Sequence, residues 1–527
     1  MNSSNKALYP LIGSLLVIIG LFFGISLSDG KKSDSSISGK YEQKLADIID
    51  VLDKEYVDSI DKKQLFEKTI SDLLHGLDPH SNYIAAEDLV EMSENIQGKF
   101  GGVGIRFTIY DDTLSVVNVI DKSPAFKVGI QKFDQIINVD GEDIANVGLS
   151  NEHVRELLKG QEGTPVKVTI LRRGEKIEKQ IIRGAVPIES ISASYMLTNE
   201  IGYIRLGQFS MQSANEFYVA AINLKGQGMK KLVFDLRYNG GGVLGSAVSI
   251  LDAILEAGTP IVSTKGKNSP ERVIYSESNP FLGHVDIAVL INSSSASASE
   301  IVAGAIQDND RGTIIGRRSF GKGLVQQDIQ LKDGSNLRLT VSRYYTPTGR
   351  SIQKSYSENY EDYMMDELKR YESGELYEID STLLVDSLKY ITPKGKVVYG
   401  GGGIMPDIFV PLDTTGSSVY YRRLQYANVF NEFSYHYVRF NNLNKYQNVQ
   451  AFDRDFKVTE KILSDFKTFA SNKHNITFNE KEYRVSADRI RISIKAEIAR
   501  QKWLELGAYY IFNQTDKEIN KAIEVLK

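Results

Sequence analysis

The sequence predicts a multidomain α/β protein with helical regions at both ends, and three patterns along its 527 residues support this fold class. Short apolar runs separated by turn residues fill residues 97–184, which indicates a compact strand-rich module. Strand-like and helix-like runs alternate over residues 185–412, as is typical of a layered α/β domain. Apolar residues at helical spacing dominate residues 41–96 and 413–527, so we expect helical regions there.

The composition excludes several classes of function. A net charge of −4 gives no long-range attraction to nucleic acid. The chain has no cysteine, which excludes disulfides, thiolate metal sites and cysteine catalysis. Its six histidines are scattered and show no spacing typical of metal ligands. We therefore expect no metal centre and no other cofactor.

The N-terminal segment differs in character from the rest. Residues 11–27 carry no charge and form a run that is short for a membrane span and slightly long for the apolar core of a signal peptide. Residues 1–28 are therefore predicted to be a membrane anchor or a cleaved signal segment, and the missing A-x-A motif favours the anchor. Either would place the remainder outside the cytoplasm. Residues 29–40, rich in serine, glycine and lysine, are predicted to be a linker.

Residues 41–96 show apolar residues at helical spacing and are broken at "GLDPHS". Such spacing favours helices that pack against a neighbouring domain. No catalytic role is assigned to this region.

The module at residues 97–184 opens with the glycine-rich stretch "GGVGIRF" just before a strand. Glycines there allow backbone N–H groups to converge on a carboxylate, although a plain turn is the alternative. Together with "SPAFKVGIQKFDQIINVDGEDI" and the helix "NEHVRELLKG", the stretch resembles a PDZ domain. The resemblance implies that an extended C-terminal peptide binds by strand addition, beside a carboxylate loop formed by Gly102, Val103, Gly104 and Ile105.

The serine-rich stretch "SSSASASEIVAGAIQD" precedes a short apolar helix in the α/β region. Ser297 and Glu300 fit a capping box, which would make the serine a helix cap. The alternative is a nucleophile, because unpaired N–H groups at a helix start can stabilise an oxyanion. The chain contains no G-x-S-x-G elbow, and His284 lies at the far end of the preceding strand. The sequence therefore gives little support for a catalytic triad with a histidine as the base.

Lys322, between Gly321 and Gly323, is the candidate general base. A solvated lysine in a turn is the alternative, but burial can lower a lysine pKa from about 10.4 towards neutrality. Gln326 follows four residues later, and if a strand begins after Gly323 it could point to the same site and orient the amine.

The glycines of "DLRYNGGGVLG" satisfy G-x-G-x-x-G between a strand and a helix. A dinucleotide site would also need an acidic residue about 20 positions later, where "VSTKGKN" has none. The favoured alternative is an oxyanion hole, in which a glycine N–H acts together with the N–H of Ala298.

Five motifs, "DLRYNGGG", "LINSSSASASEIVAGAIQD", "GRRSFGKGLVQQ", "YYTPTGRSIQ" and "GGIMPDIFVP", occur in the order seen in the carboxy-terminal processing peptidases, which the sequence resembles. The resemblance implies a crotonase/ClpP-like core, Ser297 as nucleophile, Lys322 as base and Gln326 as the residue that positions the lysine. It also implies Gly241 and Ala298 as oxyanion donors, with Gly242 as the alternative to Gly241. Residues 354–401 form an insert relative to the simplest family pattern and leave the shape of the substrate approach open.

Together these features predict a serine endopeptidase of the cell envelope that recognises protein C-terminal tails and cleaves them through an acyl-enzyme. It would be anchored in the inner membrane facing the periplasm, or exported after signal cleavage. The alternative is a catalytically silent PDZ scaffold that only binds C-termini. The C-terminal region would pack on the core or on a second subunit, and the oligomeric state stays open.

Overall fold

A computed structural model describes residues 38–356, 360–380, 382 and 385–527. The segment predicted to be an anchor or signal, and most of the predicted linker, lie outside the described residues. Within the described ranges, none of the helices combines the length and apolar character that crossing a bilayer requires. The chain divides into two compact units, residues 1–73 and 74–527.

The first unit is helical where it is described. Helix α1 spans Ser38–Glu55, so the helix includes the last three residues of the predicted linker. Helix α2 spans Lys62–His75 and ends just inside the second unit. Both helices agree with the apolar spacing of this region.

The strand-rich module of the second unit is a six-stranded antiparallel sheet with two helices, and a third helix directly precedes it. Its sheet has the order β3-β4-β5-β7-β8, with β6 beside β5, and a separate pair joins β2 to β9. The elements are α3 Leu89–Gln97, β2 Lys99–Gly102, β3 Ile105–Ile109, β4 Leu114–Val119, α4 Pro124–Lys127, β5 Gln135–Val139, β6 Glu142–Asp143, α5 Asn151–Leu158, β7 Pro165–Arg172, β8 Glu175–Ile182 and β9 Gly184–Pro187. The predicted helix "NEHVRELLKG" is α5, and Ser150 caps it by accepting from the His153 N–H.

A six-stranded sheet forms the centre of the α/β region. Its order is β10-β11-β12-β15-β16-β21, and every pair except β10–β11 is parallel. The elements are β10 Ile191–Met196, β11 Ile201–Leu206, α6 Ser213–Gly226, β12 Lys231–Asp235, α7 Leu244–Asp252, β15 Asp286–Ile291, α8 Ala298–Asp308, β16 Thr313–Gly316 and β21 Ile408–Phe409. Parallel strands buried on both faces are typical of the layered α/β fold.

Alternate residues of these strands enter two different apolar cores. On β12, Leu232 and Phe234 pack with α6, α7 and α8 on one face, whereas Val233 packs on the other. The second face is covered by the last helix, whose Ile519, Ala522 and Leu526 are buried against it. The C-terminal region therefore packs on the core, which is one of the two alternatives that the sequence left open.

The second unit also contains a five-stranded sheet. Its order is β1-β18-β13-β14, with β17 on β18. The elements, with those of the insert, are β1 Asn82–Ile84, β13 Pro260–Lys265, β14 Arg272–Tyr275, β17 Leu324–Gln330, β18 Asn336–Tyr345, α9 Tyr360–Met364, α10 Asp366–Glu372, β19 Lys389–Ile391 and β20 Val397–Tyr399. β1 comes from the region predicted to be helical, so that region also adds a strand to this sheet.

The C-terminal region is helical, as the sequence predicts. Its helices are α11 Val419–Tyr426, α12 Val429–Phe440, α13 Val449–Asp455, α14 Glu460–His474, α15 Glu480–Phe512 and α16 Lys517–Leu526. The long apolar pattern near its end is interrupted inside α15, where Trp503 and Leu504 leave helical geometry and Leu504 has a φ of +53°. Most of these helices share one apolar core of their own.

Candidate active site

Ser297 lies in the turn between β15 and α8, with a backbone conformation that is unusual for a helix cap. Its φ is +56° and its ψ is −113°, whereas cap residues ordinarily adopt extended geometry. A positive φ is strained for a residue other than glycine, and such strain concentrates at functional sites. The predicted capping box is present, and the Ser297 N–H donates to Glu300 Oε2 at 2.8 Å. Capping alone requires no strained conformation, so a second role for this serine is indicated.

Glu300 joins the serine loop to the lysine loop. Its side chain is fully buried, and besides the Ser297 N–H it accepts from the Lys322 N–H at 2.9 Å and the Gly321 N–H at 2.7 Å. The Ser319 hydroxyl also donates to it at 2.6 Å. Burial raises the pKa of Glu300, and these four hydrogen bonds oppose the rise. The Glu300 carboxylate thus fixes the backbone of both the serine loop and the lysine loop.

Tyr344 on β18 supplies a second link between the two loops. Its buried hydroxyl contacts the main-chain oxygen of Ser297 at 3.1 Å and also contacts the main-chain oxygen of Lys322. The main chains of the two candidate catalytic residues are therefore held together from two sides. No hydrogen bond joins the side chains of these two described residues directly.

Lys322 lies in the irregular stretch between β16 and β17, and β17 begins after Gly323 as predicted. Burial lowers the pKa of Lys322, and the nearby Arg338 cation lowers it further. The carboxylates of Glu300 and Asp78 act in the opposite direction, and the net pKa lies below the ordinary value of a lysine. A lowered pKa gives the amine a larger neutral fraction, which is the form a general base requires.

Among the described residues, the side-chain hydrogen bond of Gln326 goes to Thr340 and not to Lys322. Its Nε2 donates to the Thr340 hydroxyl at 3.2 Å, which in turn donates to Asp78 Oδ1 at 3.0 Å. Asp78 also accepts from the Ser81 hydroxyl at 2.6 Å. The role of Gln326 in orienting Lys322 stays a prediction, and the structure adds Thr340 and Asp78 to its surroundings.

The "GLDPHS" segment contributes His80 as well as Asp78. His80 Nε2 is hydrogen-bonded to the Tyr363 hydroxyl at 2.8 Å. Burial, and then the proximity of Lys322, lower the pKa of His80 to about 4. His80 is therefore a neutral, hydrogen-bonded side chain near the lysine at physiological pH. The sequence offered no periodicity or spacing that tied this segment to a site more than 200 residues away.

The glycine-rich loop after β12 lies directly against the serine. A Cβ added at Gly241 would be 2.7 Å from Ser297 Cβ, and the φ of Gly241 is +99°. The Gly241 N–H donates to Asn239 Oδ1 at 2.9 Å, so it is already engaged. Among the described residues the Gly242 N–H has no acceptor. Of the two predicted oxyanion donors, Gly242 is therefore the one whose N–H is unpaired among the described residues.

Ala298 is the first residue of α8, so its N–H has no acceptor within the helix. It lies 2.9 Å from the position that a Cβ of Gly241 would take. Buried Asn239 holds the two loops together, since its main-chain oxygen accepts from the Ser299 hydroxyl at 2.8 Å and from the Ala296 N–H at 3.1 Å. Asn239 was not singled out from the sequence.

Most of the predicted carboxylate loop lines a cavity of about 330 Å³ between β3 and α5. Val103, Gly104 and Ile105 line it, and Gly104 has a φ of +82° with no room for a side chain because Ser123 Cβ would be 2.3 Å away. Gly102 lies in β2, where it pairs with Gly184. β3 pairs only with β4 within the described chain, so its other edge is open to strand addition.

The chain matches three family models: Peptidase family S41 at residues 200–360, a PDZ domain at 101–182 and a family of unknown function at 420–504. It is 38% identical over 350 residues to a carboxy-terminal-processing protease of Bartonella bacilliformis, covering 64% of this chain and 80% of the relative. It is 31% identical over 369 residues to the carboxy-terminal processing protease CtpB of Bacillus subtilis, covering 67% and 76%. The solved photosystem II D1 C-terminal processing protease is 28% identical with a TM-score of 0.34, covering 58% of this chain and 89% of that one.

Proposed function

From the premise that the chain belongs to the carboxy-terminal processing proteases, serine-type S41 peptidases with a PDZ domain, we propose that it cleaves protein C-terminal tails with a Ser297/Lys322 dyad. The observation that carries the proposal is the shared anchoring of the two loops by Glu300, which accepts from the main-chain N–H of both residues. A solvated lysine in an ordinary turn would need no such anchor.

In the proposed reaction, the Ser297 hydroxyl attacks the scissile carbonyl carbon while the neutral Lys322 amine takes its proton. The tetrahedral oxyanion is stabilised by the N–H groups of Ala298 and Gly242. The C–N bond then breaks, the amine leaving group receives the proton from Lys322, and water hydrolyses the acyl-enzyme by the reverse sequence. Catalytic hydrogen bonds are often long before substrate binds, so the missing direct bond between the two side chains is compatible with this reaction.

The experiment compares Ser297→Ala and Lys322→Ala in the full-length protein, with an unfolded protein ending in apolar residues as substrate and mass spectrometry of the products. We expect each change to lower turnover by at least about a thousandfold, as when other serine peptidases lose a catalytic group. The unfolding free energy should change by only about 1 kcal/mol for the serine, the value of a cap.

Two matched controls accompany these variants. Ser294→Ala makes the same change at a partly exposed serine of the same loop, and Lys332→Ala at an exposed lysine between β17 and β18. Both should retain full activity. Cleavage that persists in both Ser297→Ala and Lys322→Ala would contradict the dyad. Tail binding without any cleavage by the unmodified protein would favour the silent scaffold instead.

We also propose that residues 1–28 hold the enzyme at the inner membrane facing the periplasm, or direct its export. The uncharged run at residues 11–27 supports this proposal. Cell fractionation combined with N-terminal sequencing of the recovered protein tests it. An intact protein found only in the cytoplasmic fraction would contradict both forms.

A further inference from the structure

The insert at residues 354–401 contacts both of the loops that carry the proposed dyad. Its helix α10 is only seven residues long, yet it presents Arg370 to the lysine loop and Glu367 to the serine loop. These contacts give the insert a relation to the chemistry that the sequence did not suggest.

Arg370 is almost completely buried and donates to three successive main-chain oxygens. Its Nη1 donates to Arg318 O at 3.1 Å and to Ser319 O at 2.9 Å, and its Nη2 donates to Phe320 O at 3.1 Å. These residues directly precede Gly321 and Lys322 in a stretch with no regular secondary structure. Buried backbone groups must find hydrogen-bond partners, and in this irregular stretch a guanidinium supplies them where a strand ladder cannot.

Lys354, the first residue of the insert, holds the same stretch from the other end. Its N–H donates to Gly321 O at 3.0 Å, and its ammonium lies between the rings of Phe320 and Tyr363, 3.8 and 4.0 Å from their centroids. It also pairs with Asp366 of α10 at 3.1 Å. The main-chain oxygens of all four residues before Lys322, residues 318–321, thus accept hydrogen bonds from the insert.

The serine loop is tied to the same helix. The Ser293 hydroxyl donates to Glu367 Oε1 at 2.8 Å, four residues before Ser297. Because Glu367 and Arg370 are three residues apart on α10, one short helix contacts both loops.

We propose that the insert is a clamp that sets the geometry of both catalytic loops, with Arg370 as its central positioning residue. The proposal rests on the Ser297/Lys322 dyad proposed above. The clamp keeps the lysine loop closed over the amine and limits the access of water to it. Without Arg370, one buried carbonyl group and two partly buried ones lose their donor, and the loop opens to recruit water in its place.

The test uses Arg370→Gln in the full-length protein, with Arg370→Lys as the conservative variant and Lys369→Gln as the control. Lys369 is on the same helix, and its exposed ammonium pairs with Asp362 at 3.2 Å. For Arg370→Gln we expect kcat to fall at least tenfold while KM changes less than threefold. The acidic limb of kcat against pH should move to higher pH, because a better-solvated amine has a higher pKa. Arg370→Lys should recover part of kcat, and Lys369→Gln should match the unmodified enzyme.

A purely structural role would lower kcat by the same factor at every pH, in proportion to the folded fraction measured by circular dichroism, and that result would overturn the proposal. A folded Arg370→Gln protein with unchanged kcat and pH profile would overturn it as well. If Ser297→Ala and Lys322→Ala stay active in the same series, the dyad itself has failed. If both are inactive while Arg370→Gln is fully active, only the clamp has failed.

A second variant covers the case in which Arg370→Gln does not fold. Glu367→Ala removes the hydrogen bond to Ser293 from an exposed position, and Glu372→Ala makes the same change on the same helix without that contact. We expect kcat to fall several-fold for Glu367→Ala with an unchanged melting temperature, and no change for Glu372→Ala. Equal kcat in the two variants would contradict the clamp on the serine loop.

Discussion

Glu300 shows how one buried carboxylate can serve both as a helix cap and as part of a catalytic site. In a capping box the carboxylate accepts one hydrogen bond, from the N–H of the cap residue. The Ser297 N–H donates this bond to Glu300. The other three donors come from residues 319–322, so most of its bonding capacity serves the lysine loop. The carboxylate also opposes the lowering of the Lys322 pKa, which limits how far burial can neutralise the amine.

Arg338 gives a prediction on pH dependence at the residue scale. Its cation lowers the pKa of Lys322, so Arg338→Gln should raise that pKa. The general base works in its neutral form, hence the rising limb of kcat/KM should move to higher pH. We expect this shift to be small, because the interaction between partly exposed charges is weak.

The measurement is kcat/KM between pH 6 and 10 for the variant and for Lys176→Gln, which removes a cation from β8 of the strand-rich module instead. A limb that stays in place, or moves to lower pH, would show that Arg338 does not act on the base.

The candidate site could be predicted from sequence where a short motif alone indicates the role of its residues. The S-x-x-E pattern identified Ser297 and Glu300, and the glycines around Lys322 marked a bend. The bonds of Glu300 to residues 319–322 could not be predicted, because they join segments about 20 residues apart through an irregular loop. Asp78 was missed for a similar reason, since its partner Thr340 is 262 residues away.

At the scale of elements, α8 is fixed at both of its ends. Its start is held by Glu300, and its last residue, Asp308, is fully buried and pairs with Arg350 at 2.7 Å. Arg350 is also fully buried and donates to Gln307 Oε1 at 2.6 Å and to Tyr399 O at 2.7 Å. The arginine of "YYTPTGRSIQ" thus stabilises the helix that begins after the proposed nucleophile.

Arg350→Met should therefore destabilise the fold strongly. Removing one partner of a buried ion pair leaves an uncompensated charge, which costs about 3–5 kcal/mol. Urea unfolding of the variant measures this loss. Arg343→Met serves as the control, since Arg343 is exposed and its side chain donates to the Tyr356 hydroxyl at 3.1 Å; it should cost less than about 1 kcal/mol. Losses of equal size would mean that the Arg350 pair contributes no more than a surface contact.

Element type was predictable wherever apolar periodicity was strong, as in the central sheet and in α5. The strand Asn82–Ile84 was not predicted, because three half-buried residues give no period and its pairing partner is in β18. The break inside α15 was also missed. Its sequence keeps a helical pattern, whereas Gly507 packs so closely that an added Cβ would be 2.7 Å from Ala499 O.

At the scale of the whole molecule, the last helix ties the C-terminal region to the sheet that carries the active-site loops. Glu518 accepts from Arg317 at 2.6 Å and also contacts Arg237, which belongs to "DLRYNGGG". Burial alone would raise the pKa of Asp235, but Arg237 and Arg205 outweigh it and hold that pKa below its ordinary value. This carboxylate therefore stabilises the fold above pH 4, and the contribution is lost as the pH falls.

The presence of a PDZ domain with an open β3 edge and a peptidase core in one chain leads to a prediction about substrate choice. A tail held in the groove meets the active site at a raised effective concentration. The overall affinity for the tail can then exceed the affinity of either site alone by about a hundredfold or more. Ile105→Glu places a charge at the last residue of the predicted carboxylate loop, which lines the cavity. We expect KM for a tailed unfolded protein to rise at least tenfold, while kcat/KM for a short peptide that reaches only the active site stays unchanged.

Ile182→Glu is the matched control, because Ile182 lies on β8 and is about half exposed (51%). It should leave both substrates unaffected. Amidating the C-terminus of the tailed substrate should raise KM for the unmodified enzyme and have little further effect on Ile105→Glu, since the new glutamate already repels the carboxylate that amidation removes. If Ile105→Glu slows the short peptide as much as the tailed protein, the groove supports the fold of the enzyme rather than selecting tails. If neither substrate is affected, substrate choice is made in the peptidase core alone.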